Sequence, residues 1–132
     1  MPARPCVLVV DDDSSIRDLV RTRLNLAGYD VHTARTGAEA IESLAKPKFD
    51  ALVLDINMPG MDGFSVLQAM REGVLVPRRV VPTLVLSARH AGQDVKRAIE
   101  LGAKDYLPKP FNETQLLTRV ARLLRTPKSA AA

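Results

Sequence analysis

Short apolar runs that end on a polar residue recur along the chain. Val7-Leu8-Val9-Val10 runs into Asp11-Asp12-Asp13, Ala51-Leu52-Val53-Leu54 into Asp55, and Leu84-Val85-Leu86 into Ser87. Runs of this kind, bounded by turn residues, read as strands buried on both faces of a parallel sheet. The strand at 49–55 is the most sharply drawn. It stops on Asp55, and the chain then turns through Pro59-Gly60 and Asp62-Gly63. Residues 29–34 form a shorter strand of alternating character. Residues 105–107 form a last strand, leading into Lys109-Pro110.

Between the strands the apolar period becomes helical. Ile16, Leu19, Val20 and Leu24 make one stripe. Ser14 or Ser15 can cap that helix, Asp13 suits its positive end, and Gly28 stops it. Thr36 caps a second helix with Glu39 three residues on as a capping box. Ala40, Ile41 and Leu44 face inward there, and Pro47 ends it. A third helix covers 64–72, burying Phe64, Leu67 and Met70. A fourth covers 94–101 and is closed by Gly102. A fifth covers 113–125, with Leu116, Leu117, Val120, Leu123 and Leu124 inward. Residues 73–82 hold two prolines and Arg78-Arg79, and read as a loop longer than the usual ~4–6 residues. Strand and helix alternate five times, which predicts an α/β fold: a five-stranded parallel sheet with helices on both faces.

Composition narrows the class. With 132 residues and 46% apolar content, the chain suits one compact domain over 5–125, with 126–132 as a tail or the start of a linker. No apolar run approaches the ~20 residues of a membrane-spanning helix. The first residues lack the apolar core of a secretory signal. Cys6 is the sole cysteine and reads as core packing. These features lead us to expect a cytoplasmic protein with no membrane contact. The net charge of +4 is uneven: residues 1–66 carry 7 Lys and Arg against 10 Asp and Glu, and the remainder carries 12 against 5. The basic residues are dispersed and have few aromatic neighbours. A solvated basic face, and not direct nucleic-acid contact, is therefore expected.

Parallel strands would bring Asp11, Asp12, Asp55, Ser87 and Lys109 to the carboxyl edge of the sheet, where open α/β folds bind ligands. Crowded carboxylates repel and need counter-charge. Lys109 supplies one unit, and a divalent cation would supply more. All-oxygen donors with few carboxylates fit Mg²⁺. No His or Cys lies near these strand ends except His90, so zinc is disfavoured at this edge; His32 and His90 read as surface residues with no metal-ligand partner at suitable spacing. Carboxylates, Mg²⁺, a lysine and a hydroxyl are equipment for phosphoryl transfer, with Asp55 as the nucleophile. A strand-end acid by itself is more often a helix cap or a surface charge. The joint arrangement carries the reading.

The segments VVDDDSSIRDLV, LVLDINMPGMDG, LVLSA and DYLPKPF resemble, in this order, the receiver domain of two-component response regulators. The likeness covers roughly residues 5–125. It implies a doubly wound, flavodoxin-like sheet with strand order 2-1-3-4-5. It implies that Asp55 is the phosphoacceptor, that Asp12 binds Mg²⁺ directly, and that Asp11 is its neighbour. Asn57 would complete the metal shell through its backbone carbonyl, and Lys109 would bind phosphate. Ser87 would be the switch hydroxyl and Tyr106 the aromatic switch. The Lys109-Pro110 bond would be cis. Ser87 stands where the family often has Thr, and it keeps the hydroxyl.

The resemblance also implies a mechanism. A sensor histidine kinase or a histidine phosphotransfer protein donates to Asp55, and Ser87 and Tyr106 then repack the face made by the fourth helix, fifth strand and fifth helix. A downstream protein would bind there. Lys96, Arg97, Arg119, Arg122 and Arg125 give that face a basic cast, suited to an acidic partner or to a homodimer formed on phosphorylation. Asp105 and Arg119 could pair within or between subunits. Such a chain is a signalling module and not an enzyme in its own right. Two arrangements are open: a stand-alone receiver, which this reading favours, or the N-terminal receiver of a longer effector-bearing regulator. A haloacid-dehalogenase-type phosphatase would carry a second acid where Asn57 stands. An FMN binder would not place three acids after its first strand.

Overall fold

The structure, a computed structural model, describes residues 4–73, 80–88 and 92–125. Its strands are β1 (Cys6–Val10), β2 (Asp30–Ala34), β3 (Ala51–Asp55), β4 (Thr83–Ser87) and β5 (Asp105–Pro108). Its helices are α1 (Ser14–Leu26), α2 (Gly37–Leu44), α3 (Gly63–Arg71), α4 (Gly92–Glu100) and α5 (Glu113–Leu124). The strands form one parallel sheet in the order β2-β1-β3-β4-β5. This is the expected doubly wound topology.

The two-residue period of a strand divides the core. Leu8 and Val10 of β1 join Leu52 and Leu54 of β3 in a layer covered by α2, α3 and α4, with Leu44, Phe64, Leu67 and Ala98 against it. Val7 and Val9 point the other way, with Val53, Leu84 and Leu86, under Val20 and Leu24 of α1 and Leu116, Val120 and Leu123 of α5. β1, β3 and β4 are buried at every position, which is why their sequences are unbroken apolar runs. Burying each of these leucines or valines contributes about 1.5–3 kcal/mol. β2 lies at an edge, and its more exposed positions explain its weaker pattern.

Several local expectations need correction. Asp13, not Ser14 or Ser15, caps α1: its carboxylate accepts from the Ser15 and Ile16 N–H groups at 2.9 and 3.3 Å. Leu19 is 43% exposed, because Ile16, Val20 and Leu24 advance in steps of four and their stripe drifts away from it. Thr36 caps α2 by accepting from the Glu39 N–H. The Glu39 carboxylate, however, takes the N–H and guanidinium of Arg35, so the expected reciprocal box is not formed. A capping box does form on α5, between Asn112 and Gln115. Gly28 and Gly102 close α1 and α4 with φ of 101° and 106°, in the left-handed region that favours glycine.

The Lys109-Pro110 peptide is cis. Among the described residues, no helix is long and apolar enough to cross a membrane. Arg78, Arg79, most of the 73–82 loop, His90 and the tail from 126 lie outside the described residues.

Candidate functional site

β1 and β3 stop side by side, Val10 opposite Leu54, so Asp11 and Asp55 emerge together at the carboxyl edge. Both are almost wholly buried, with residue exposures of 0% and 2%, while Asp12 is exposed beside them. One carboxylate oxygen from each of Asp11, Asp12 and Asp55 lies within 4.8 Å of the others. The Asp11 carboxylate also accepts the Asp13 N–H at 3.0 Å, and its backbone carbonyl accepts from Arg17 at 2.9 Å. Arg17, which falls off the apolar stripe of α1, thus ties that helix to the β1 turn.

Lys109 reaches in from the turn after β5. Its Nζ is 3.0 Å from Asp11 Oδ2 and 3.6 Å from Asp55 Oδ1. Burial raises the Asp55 carboxyl from the ordinary range to about 6; the hydrogen bond from the Asn57 N–H opposes this, the Asp11 charge adds to it, and the Lys109 charge offsets part. Three carboxylates face one ammonium, so the pocket is short of positive charge. An all-oxygen donor set lacking two positive charges fits a hard divalent cation such as Mg²⁺. Asp11, Asp12 and Asp55 could hold it.

Ser87 ends β4 and is wholly buried. Its Oγ donates to Asn57 Oδ1 at 3.1 Å, and the same oxygen accepts the Ala88 N–H at 3.1 Å. The Asn57 N–H in turn donates to Asp55 Oδ1 at 3.0 Å. Asn57 therefore joins the acid to the hydroxyl through its own side chain, a part the sequence reading gave only to its backbone. The signal was present, since an Asn two residues past a strand-end acid can bridge to the next strand, but seeing it required knowing that β4 lies beside β3.

Gly63 is fixed by the same corner. A Cβ there would stand 2.7 Å from the Asp55 carbonyl oxygen and from Ile56 Cα, so only glycine lets α3 start this close to the end of β3.

Tyr106 stands apart from the acids. It lies opposite Val85, two residues before Ser87 in the β4 register, half-buried against the α2–α4 layer. Its carbonyl accepts from Arg119 Nη1 at 2.7 Å, and the same nitrogen donates to Asp105 Oδ1 at 2.9 Å. The Asp105–Arg119 pair is thus formed within the chain. Arg97 stacks over the Phe64 ring at 4.2 Å. Part of the expected basic face is therefore engaged internally. Arg122, 62% exposed and 3.8 Å from Asp105, is an outward charge on that face, as are Lys96 and Arg125.

Comparison with known proteins bears on this geometry. The family described as the response regulator receiver domain matches residues 7–121. The transcriptional regulatory protein PrrA of Mycobacterium bovis is 47% identical over 127 residues, a match covering 96% of this chain and 53% of PrrA. The structure of the chemotaxis protein CheY4 of Vibrio cholerae is similar with a TM-score of 0.85 and 38% identity, covering 92% of this chain and 100% of that one. The receiver domain of the sensor histidine kinase PA1611 of Pseudomonas aeruginosa, solved with a magnesium ion coordinated in its active site cleft, has a TM-score of 0.83 at 27% identity, covering 94% of this chain and 100% of its own. The chain spans about half the length of the curated relatives it matches.

Proposed function

The chain belongs to the response regulator receiver domain family, and from that premise we propose that Asp55 accepts a phosphoryl group from a phosphohistidine on a sensor kinase or phosphotransfer protein. The observation that carries the reading is the Lys109 ammonium set between the buried carboxylates of Asp11 and Asp55. Such a pair of acids is held ionised only where positive charge is supplied, and a phosphoryl group needs that same charge.

Above pH ~6 the Asp55 carboxylate is mostly ionised and available as a nucleophile. One of its oxygens attacks phosphorus in line. A P–O bond forms as the P–N bond to the donor imidazole breaks, and the imidazole nitrogen keeps the electron pair. Asp11, Asp12 and Asp55, with the Asn57 backbone carbonyl, would hold Mg²⁺, which when bound supplies positive charge against the phosphoryl oxygens. Lys109 moves from its carboxylate contacts to one of those oxygens. Ser87 Oγ turns from Asn57 Oδ1 to donate to another. Tyr106, one strand over, repacks as Ser87 moves, and the change reaches the surface of α4, β5 and α5. A buried charge event thus biases a two-state surface.

Of the two arrangements, the receiver of a longer effector-bearing regulator is better supported than the stand-alone receiver, because this chain matches only half of PrrA. PrrA is named a transcriptional regulatory protein, which favours nucleic acid as a partner of the whole regulator, against the expectation from charge. The receiver itself would act in the cytoplasm through the α4–β5–α5 face, on an acidic surface or a second copy.

Incubation with a small phosphodonor and Mg²⁺, followed by intact mass, tests the reading. A phosphate-sized gain is expected, lost in Asp55→Asn and on chelation of the metal. A folded chain that gains nothing, or a variant that gains equally, contradicts it.

A further inference from the structure

The opposite end of the sheet carries a second set of metal-ligating side chains. In the parallel pairing of β1 with β2, Cys6 stands opposite Asp30 and Leu8 opposite His32. Side chains two residues apart share a sheet face, so Asp30 and His32 lie on the same side. Cys6 and Leu8 pack on that side too, in the layer under α2. The result is a thiol, a carboxylate oxygen and an imidazole nitrogen all within 4.8 Å of one another.

We propose that Cys6, Asp30 and His32 form a second metal site, one for a zinc-class divalent cation. The donor set is the reason. Thiolate and imidazole select borderline-soft ions such as Zn²⁺, whereas the carboxylate pocket at Asp55 is all oxygen and suits hard ones. Three protein ligands and one water make a four-coordinate centre. Bonds of about 2.0–2.3 Å place tetrahedral donors about 3.5 Å apart, so donors that lie within 4.8 Å of one another close in by about 1.3 Å at most.

The surroundings allow that movement and favour a cation. Cys6 is buried on its strand, but the side chains of Asp30 and His32 are 59% and 40% exposed, so an ion and its water can enter from solvent. The His32 imidazole already lies 3.6 Å from Asp30 and edge-on to the Phe49 ring at 5.6 Å, which limits its rotation. The Asp50 carboxylate accepts the Cys6 N–H at 2.8 Å and adds negative charge behind the sulfur. The carboxylates of Asp30 and Asp50 beside the sulfur would draw a metal cation to it. Binding forms the S–metal bond and releases the thiol proton to solvent. The bound ion would pin the edge strand β2 to β1 at their amino ends, across the sheet from Asp55.

The single cysteine makes the test specific. Any thiolate-to-cobalt charge-transfer band must come from Cys6, because the chain has no other thiol. The reduced full chain, with Mg²⁺ in excess, is titrated with Co²⁺ and followed by absorption. The proposal predicts a near-ultraviolet thiolate band and tetrahedral visible bands saturating at one cobalt per chain, and bleaching by Zn²⁺. His32→Gln and Asp30→Asn, each checked for native circular dichroism, should weaken cobalt binding by about tenfold or more. No thiolate band in excess cobalt overturns the proposal. So does an affinity unchanged in both variants, or saturation at half an equivalent, which would mean that two copies share one ion. The readout does not involve phosphorylation, so it stands or falls independently of the role given to Asp55.

Discussion

The burial of Asp55 costs stability. Its carboxyl is raised by burial to about 6, against an ordinary value of 3.8. Below pH ~4 the group carries its proton in both folded and unfolded chains. As pH rises from ~4 to ~6 the folded chain holds a proton that the unfolded chain has released, so this group's contribution to stability falls and stays lost above ~6. Asp55→Asn removes the effect. In chelator at pH 7 the variant should be about 1–3 kcal/mol more stable than the parent, with the gap closing towards pH 4. Urea unfolding at the two pH values checks it; a variant less stable at pH 7 contradicts it. Added Mg²⁺ should stabilise the parent more than the variant, because only the parent keeps the full carboxylate set.

At the scale of elements, the β5–α5 unit shows how one arginine can differ from its neighbour. Arg119 joins the Asp105 carboxylate and the Tyr106 carbonyl, while Arg122 is mostly solvated and 3.8 Å from the same acid. Arg119→Ala should cost about 1–3 kcal/mol, since it strips hydrogen bonds from partly buried acceptors. Arg122→Ala should stay within about 0.5 kcal/mol. Chemical denaturation of both variants gives the comparison, and equal effects would contradict it.

The elements also show where sequence was sufficient. β1 and β4 run as the apolar pattern placed them, because strands buried on both faces leave no other pattern. The acids, Ser87 and Lys109 follow from strand ends and from the family likeness. The cap of α1 stayed open between Asp13 and the two serines because all three are good caps and only backbone geometry chooses among them. The Asn57 side chain and the Cys6–Asp30–His32 cluster were missed for a different reason. Each depends on which strand lies beside which and in what register. Asp30 stands two residues from His32 along the chain, but Cys6 joins the two only through the pairing of β1 with β2.

For the whole molecule, the sheet separates tasks by its ends and faces. The acids, Ser87 and Lys109 meet at the carboxyl edge, Cys6 and its partners lie at the amino end, and Tyr106 looks into the layer that α4 covers. The central claim is that the carboxyl edge makes an acyl phosphate on one residue. Its most direct measurement is to phosphorylate the chain with a small phosphodonor and Mg²⁺, reduce the acyl phosphate with borohydride, and map the modified peptide by mass spectrometry. The account predicts conversion of the aspartate to homoserine at position 55 alone. Reduction at Asp11 or Asp12 instead, or phosphate found on a hydroxyl such as Ser87 and untouched by borohydride, would contradict it.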